Sequence, residues 1–422
     1  MAPLVTFPTR FAVVLGLCLP LCSQGLPGKK PAPDLTRQRA LPIELGPGPL
    51  VCFERNSPGT PHEVSIFAAN CDGDAAAKKF WINAGNADVV ARLDQSHILI
   101  ASYGQVYGLI VVDTKTGSHQ LFAEGSPHSF VAQRGDEVLF LGDDRWSKGD
   151  NHLYARNWRT PGARRKLAEP TFESIPLIEG NLAIGVTAGE REVWSISLTR
   201  SKGRKIYDLP QGTSQTRLAL SPNGLRLAIG ANVNWRGHIA VVDLGAAKVL
   251  NQWNGLNISL SPLSSFSPTV ECQWFDDEQI VSSETIGKGR NGGHFAWVRR
   301  NVATGKITDE SAYGPMVLRH TPPPPAGHKP KAPLFSIASE GEHFLLMQAG
   351  VKEPVQSVPK DYRHGAKIRL SPQGRFAVVH LERDPNLCQL YRPGQPPLAV
   401  SDAGALEWQW LPASGTVESQ SK

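Results

Sequence analysis

The sequence predicts an all-β fold of repeated four-stranded antiparallel units. Three observations carry the prediction. The phrase LSPNGLRLAIG at 220–230 returns as LSPQGRFAVVH at 370–380. Strand–turn–strand signals recur with a period near 40 residues. No segment holds a helical period over twelve residues. Four strands per unit at such a period are the signature of a β-propeller blade.

Each repeated phrase reads as a hairpin corner. Pro222 fixes φ at the first central turn position, Asn223 tolerates the second, and Gly224 suits the exit. Ser371-Pro372-Gln373-Gly374 repeats the device. Looser corners fall at Asp94-Gln95-Ser96, Gly135-Asp136, Glu179-Gly180, Asp276-Asp277 and Glu340-Gly341. Gln95, Gly135, Gly180 and Pro222 are separated by 40, 45 and 42 residues. A third strand ending in a polar turn follows each corner: GLIVVDTKTG (108–117), NHLYARNWRTPG (151–162), REVWSISLTRSKG (191–203), HIAVVDLGAAK (238–248) and FAWVRRNVATGK (295–306). Short fourth strands come next at 119–124, 205–210 and 249–253.

Seven full units result: 41–86, 87–125, 126–169, 170–212, 213–263, 264–315 and 366–405. Residues 334–365 give a good hairpin and then weaker strand signals, so this stretch is either a short eighth blade or an elaboration. ALEWQWLP (405–412) reads as one more inner strand, expected to pair with the N-terminal blade and close the ring, which would remove exposed sheet edges. One propeller domain over 41–412 is therefore expected. It would carry a proline-rich loop at 316–333, because proline cannot donate to a ladder. A disordered tail follows at 413–422.

These phrases resemble the TolB-like and WD-repeat propellers, with the YVTN and quinoprotein-dehydrogenase-like propellers included. Members carry an LSPDG-type corner and a third strand ending in DLxTG. Asn223 and Gln373 stand where the family corner has aspartate, so the resemblance reaches no subfamily. What it implies is a scaffold, and such scaffolds host unrelated functions.

The N-terminus reads as an export signal over 1–25, with Arg10 before the apolar run FAVVLGLCLPL (11–21) and cleavage expected after Gly25; 26–40 is a linker. Lipid anchoring at Cys22 is the disfavoured alternative, because Leu21 is not the small residue such sites want. The apolar run is too short to cross a bilayer, and no later one is longer. The chain is expected to be exported, periplasmic or secreted, and monomeric. Four cysteines remain beyond the signal: Cys52, Cys71, Cys272 and Cys388. Four buried thiols are the plainer reading, and the three possible pairings stay open.

The net charge of +6 over 422 residues is a mild bias. No recognition motif accompanies it, so no nucleic-acid partner is expected. There is no G-x-S-x-G, P-loop, H-E-x-x-H or C-x-x-C, no catalytic residue is assigned, and no cofactor is expected. Six of the twelve histidines fall in the last third. A channel metal held from several blades would leave no local spacing, so the alternative reading is a metal-dependent propeller enzyme, a lactonase or sugar-acid lyase. No metal ligand is assigned.

The preferred reading is an exported, non-catalytic scaffold that binds a protein or an envelope ligand. In a propeller, the loops joining strands two and three surround the channel on one face. Here they bring Tyr103, Tyr107, Asp144, Arg145, Trp146, Asn234, Trp235, Arg236, Arg290, Asn291 and Arg383. Trp and Arg are frequent interface anchors. The opposite face carries the turns between strands three and four. Two of these, on adjacent units, place Arg159, Arg164, Arg165, Lys166, Arg200, Lys202, Arg204 and Lys205 side by side. Such a patch would suit an anionic polymer or an acidic protein.

Overall fold

The computed structural model describes residues 38–56, 63–74, 76–85, 87–103, 106–124, 130–142, 151–160, 162–257, 272–286, 294–311, 334–359, 367–371, 374–381, 387–401 and 408–411. The proposed signal segment, the proline-rich loop and the C-terminal tail lie outside them. All described regular structure is β, in eight antiparallel sheets. Seven of them are meanders of consecutive strands, each completed before the next begins; the first also takes in the last strand of the chain.

Blade one holds Leu50–Asn56, Glu63–Asn70 and Lys78–Ala84. Blade two runs from Ala87–Arg92 to His119–Glu124, blade three from Phe130–Arg134 to Arg165–Thr171, and blade four from Leu177–Glu179 to Lys202–Asp208. Blade five runs from Thr213–Leu220 to Lys248–Leu256, blade six from Cys272–Trp274 to Ile307–Ser311, and blade eight from Lys367–Leu370 to Leu398–Ser401. These match the seven units expected. The ambiguous stretch is a sheet of its own. Phe335–Glu340, His343–Gln348 and Gln356–Pro359 form blade seven, three-stranded among the described residues.

Trp408–Leu411 pairs antiparallel with Leu50–Phe53, from Leu50 opposite Leu411 to Phe53 opposite Trp408. The last strand is thus the inner strand of the first blade, and the ring is closed by the two ends of the chain. The chain is a β-propeller. At the outer edge of blade one, Arg39–Ala40 adds a short strand against Trp81 and Ile82, so the end of the segment read as linker is built into the sheet.

The apolar cores lie between blades. In blade five, Leu227 and Ile229 face blade four with Ile184, Val186 and Val193, while Ala228 and Val241 face blade six with Cys272 and Ile280. Successive residues point to opposite faces of a strand, and both faces are covered. That is why the middle strands read as nearly unbroken apolar runs. Similar cores join blades one and two, two and three, three and four, seven and eight, and eight and one.

The polar residues of the repeat serve the turns. At the corner of blade five, Ser221 Oγ accepts from Arg226 N at 3.0 Å, and Asn223 Oδ1 accepts from Leu225 N at 2.9 Å. Gly224 takes φ of 69°, open to glycine without steric cost. Ser371 Oγ repeats the bond, accepting from Phe376 N at 3.1 Å and also from Arg375 N at 3.0 Å. At the end of third strands, Asp113, Asn157, Asp243 and Asn301 each accept a turn N–H on Oδ1. The terminal D or N of that phrase is an Asx cap.

Candidate binding face

Strands two and three of blade five meet in a two-residue turn, with Val233 opposite Arg236. Asn234 and Trp235 occupy the tip with φ of 49° and 66°. Both values are left-handed, the requirement of a type I′ hairpin, whose preferred sequence is Asn-Gly. Trp235 stands where glycine belongs. A non-glycine residue in this region costs about 1–2 kcal/mol. The indole gains little packing in return, since Trp235 is 76% exposed. Outliers of this kind collect where a surface is used.

The tip is held from beneath. Asn234 N donates to Gly212 O at 3.3 Å, and a Cβ on Gly212 would overlap the Asn234 amide. The next strap comes from blade four. Glu190, at φ of 48° in the loop between strands two and three, accepts from Gln215 N at 2.6 Å and from Thr216 N at 2.8 Å, and also from the Thr216 hydroxyl. Gln215 is itself at φ of 55°. Four of the six described non-glycine residues with positive φ thus fall on this rim of blades four and five. Sequence reasoning selected Asn234, Trp235 and Arg236 but missed Glu190, Gly212 and Gln215. The available signal was tryptophan at the glycine position of an Asn-Gly turn.

The other predicted residues are spread around the ring. Arg236 donates from Nη1 to Asn257 Oδ1, just past the end of the fourth strand of its own blade. In blade two, Tyr103 and Tyr107 face each other at the ends of the second and third strands. Tyr107 is exposed and Tyr103 half-buried. Burial, then a hydrogen bond with Asp88, pushes the Tyr103 phenol well above its ordinary value. Gly108, at φ of 150°, approaches the Ala123 carbonyl so closely that a Cβ would overlap it. Asp144, Arg145, Trp146, Arg290, Asn291 and Arg383 lie outside the described residues. Among the described residues, no group of three or more His, Cys, Asp or Glu side chains could hold a metal ion. No described helix is long and apolar enough to cross a membrane.

On the opposite face the basic cluster is largely used within the fold. Arg159 pairs with Asp136 and Asp94 at 2.8 and 2.9 Å and stacks on Trp158. Arg164 lies over Tyr154. Lys166 pairs with Glu169, and Lys205 with Asp208 and Glu192. Arg165 pairs with Glu137 at 2.9 Å and reaches the Leu198 carbonyl at 3.2 Å. Arg204 donates to the Leu244 carbonyl, and Asn251 to the Val302 carbonyl at 3.0 Å. These three carbonyls directly follow Ser197, Asp243 and Asn301. In three successive junctions, a polar side chain on the fourth strand grips the same backbone oxygen of the next blade. Arg200 and Lys202 are exposed and make no ion pair among the described residues.

No family model and no curated protein matches the sequence. Solved propellers resemble the chain in fold. Dihydro-heme d1 dehydrogenase NirN in complex with DHE is 13% identical over 89% of this chain and 81% of its own, with a TM-score of 0.45. TolB from Acinetobacter baumannii is 12% identical over 86% of this chain and 66% of its own, at 0.33. The β-propeller domain of the Trilobed protease from Pyrococcus furiosus is 13% identical over 63% and 81%, at 0.33. At these values the assignment of the fold rests on the strand order and ring closure above.

Proposed function

We propose that the chain is an exported, non-catalytic propeller that binds a partner on the face carrying the loops between strands two and three. The observation that carries this reading is Trp235, 76% exposed on a left-handed backbone. The geometry gives up stability to present an indole to solvent, and the Glu190 and Asn234 straps hold that indole's backbone in place. Preorganised aromatic anchors lose little entropy on binding.

The test is retention of partners from envelope extract by the full chain and two variants. Trp235→Ala is expected to lose the bound fraction. Leu225→Ala, which truncates an exposed side chain at a corner on the opposite face, is expected to keep it. Equal retention by both variants would overturn the reading.

A further inference from the structure

We infer that the platform around Trp235 takes a glycan, with one sugar ring lying on the indole. The inference rests on the reading of this face as a binding surface and names the ligand's chemistry. The surroundings of the indole carry it. Across the tip of blade five stand Ser214, Asn234 and Arg236, with Asn257 just past the end of the fourth strand. None is apolar. Among the described residues, the other exposed large apolar residues in the loops of this face belong to other blades: Tyr107 to blade two, Ile175 to the connection entering blade four, and Val351 to blade seven. A protein anchor works in a packed, desolvated pocket ringed by occluding neighbours. Here, among the described residues, one flat ring stands 76% exposed, rimmed by hydroxyl, amide and guanidinium groups.

A sugar ring matches that arrangement. Its axial C–H hydrogens suit the negative face of an aromatic ring. Its equatorial hydroxyls each need donors and acceptors at the edge, and amide and hydroxyl side chains supply both. A cationic ligand is disfavoured, because the Glu190 carboxylate beside the tip is already occupied by three donors from Gln215 and Thr216. The straps fix the backbone of the platform before the ligand arrives.

The probes are chitohexaose, cellohexaose and maltohexaose, titrated into the full chain with saturation-transfer NMR and tryptophan fluorescence as readouts. At least one is expected to bind, with an affinity weakened about tenfold or more by Trp235→Ala. Trp235→Phe should lose less, since it keeps an aromatic face, and Leu225→Ala nothing. Thermal melts show whether each variant is folded. Binding unchanged in Trp235→Ala overturns the inference, as does no binding of any saccharide to the unaltered chain. If no saccharide binds, but a protein from extract is retained by the unaltered chain and lost by Trp235→Ala, the glycan falls and the binding face stands. If neither is retained, both fall.

Discussion

The Tyr207 hydroxyl donates to His238 Nε2 over 2.8 Å, across the junction of blades four and five. Nδ1 of the same imidazole lies 2.6 Å from Asn254 Oδ1; an amide oxygen only accepts, so Nδ1 carries the proton of the neutral ring and Nε2 is the acceptor. Burial pushes the His238 pKa below the ordinary 6.5, and the Asn254 bond offsets this only in part. Below that value the unfolded chain takes up a proton that the folded chain resists. The stability from this site is whole above the unfolded pKa and is lost as pH falls through it toward the folded one. Urea melts across this range are expected to show the decline, and His238→Gln to flatten it. An equal slope in the variant would mean that other groups cause it.

Blade six buries a charge pair. Arg300 donates from both terminal nitrogens to the Glu284 carboxylate, with Nη2 to Oε2 at 2.7 Å, and also to Ser282 Oγ at 2.9 Å. Both residues are buried. Arg300→Leu leaves a carboxylate without its partner and is expected to cost about 3–5 kcal/mol. The double variant Glu284→Leu/Arg300→Leu should recover most of that. Urea midpoints of the three proteins decide it.

Trp235→Gly restores the turn's preferred glycine. Relief of the left-handed backbone outweighs glycine's larger unfolded entropy, so a gain of about 0.5–1 kcal/mol is expected. The same variant should lose the bound partner. A destabilised Trp235→Gly would show that the indole packs in solution, against the exposure described.

The four cysteines Cys52, Cys71, Cys272 and Cys388 are buried and unpaired. Burial is the largest cause pushing Cys71, Cys272 and Cys388 up to about 12, and Cys52 further. In a chain beginning at residue 26, which lacks Cys18 and Cys22, a disulfide-exchange reagent near neutral pH is therefore expected to find none of the four in the native fold and all four in guanidinium. Fewer than four in denaturant would reveal a disulfide.

Removing residues 405–422 deletes Trp408–Leu411 and bares the paired edge of Leu50–Phe53. The shortened chain is expected to melt less cooperatively and to self-associate, as open sheet edges do. Sedimentation velocity measures the second effect. A monomer with an unchanged melt would show that closure contributes nothing.

The repeat was legible because turn chemistry is local. Proline, asparagine and glycine at 222–224 mark a corner without reference to any other blade, and the Asx-capped ends of third strands recur for the same reason. The closing strand could be read from its alternating tryptophans. The basic cluster was legible as charge but not as structure. Arg165 and Arg204 act on backbone oxygens of the next blade, and a carbonyl acceptor has no letter in the sequence. The trace left behind is a polar donor recurring early in the fourth strands of successive blades: Arg165, Arg204 and Asn251. Trp235 was picked out by residue type. Its strain appears only with the register that makes the turn two residues long, and the Glu190 strap only once two blades are neighbours.

Leu50 and Leu411 face each other in one sheet, which sets an order of events for a growing chain. Blades two to six can form from contiguous sequence as they emerge, because their strands pair within short stretches. Blade one cannot. Its inner strand is made last, so the first sheet waits with an open edge until the final residues arrive. Loop closure across nearly the whole chain makes that step the slowest. Whatever the speed of synthesis, the seven later sheets can therefore stand before the first is whole, and the ring becomes continuous only once Trp408–Leu411 has been made.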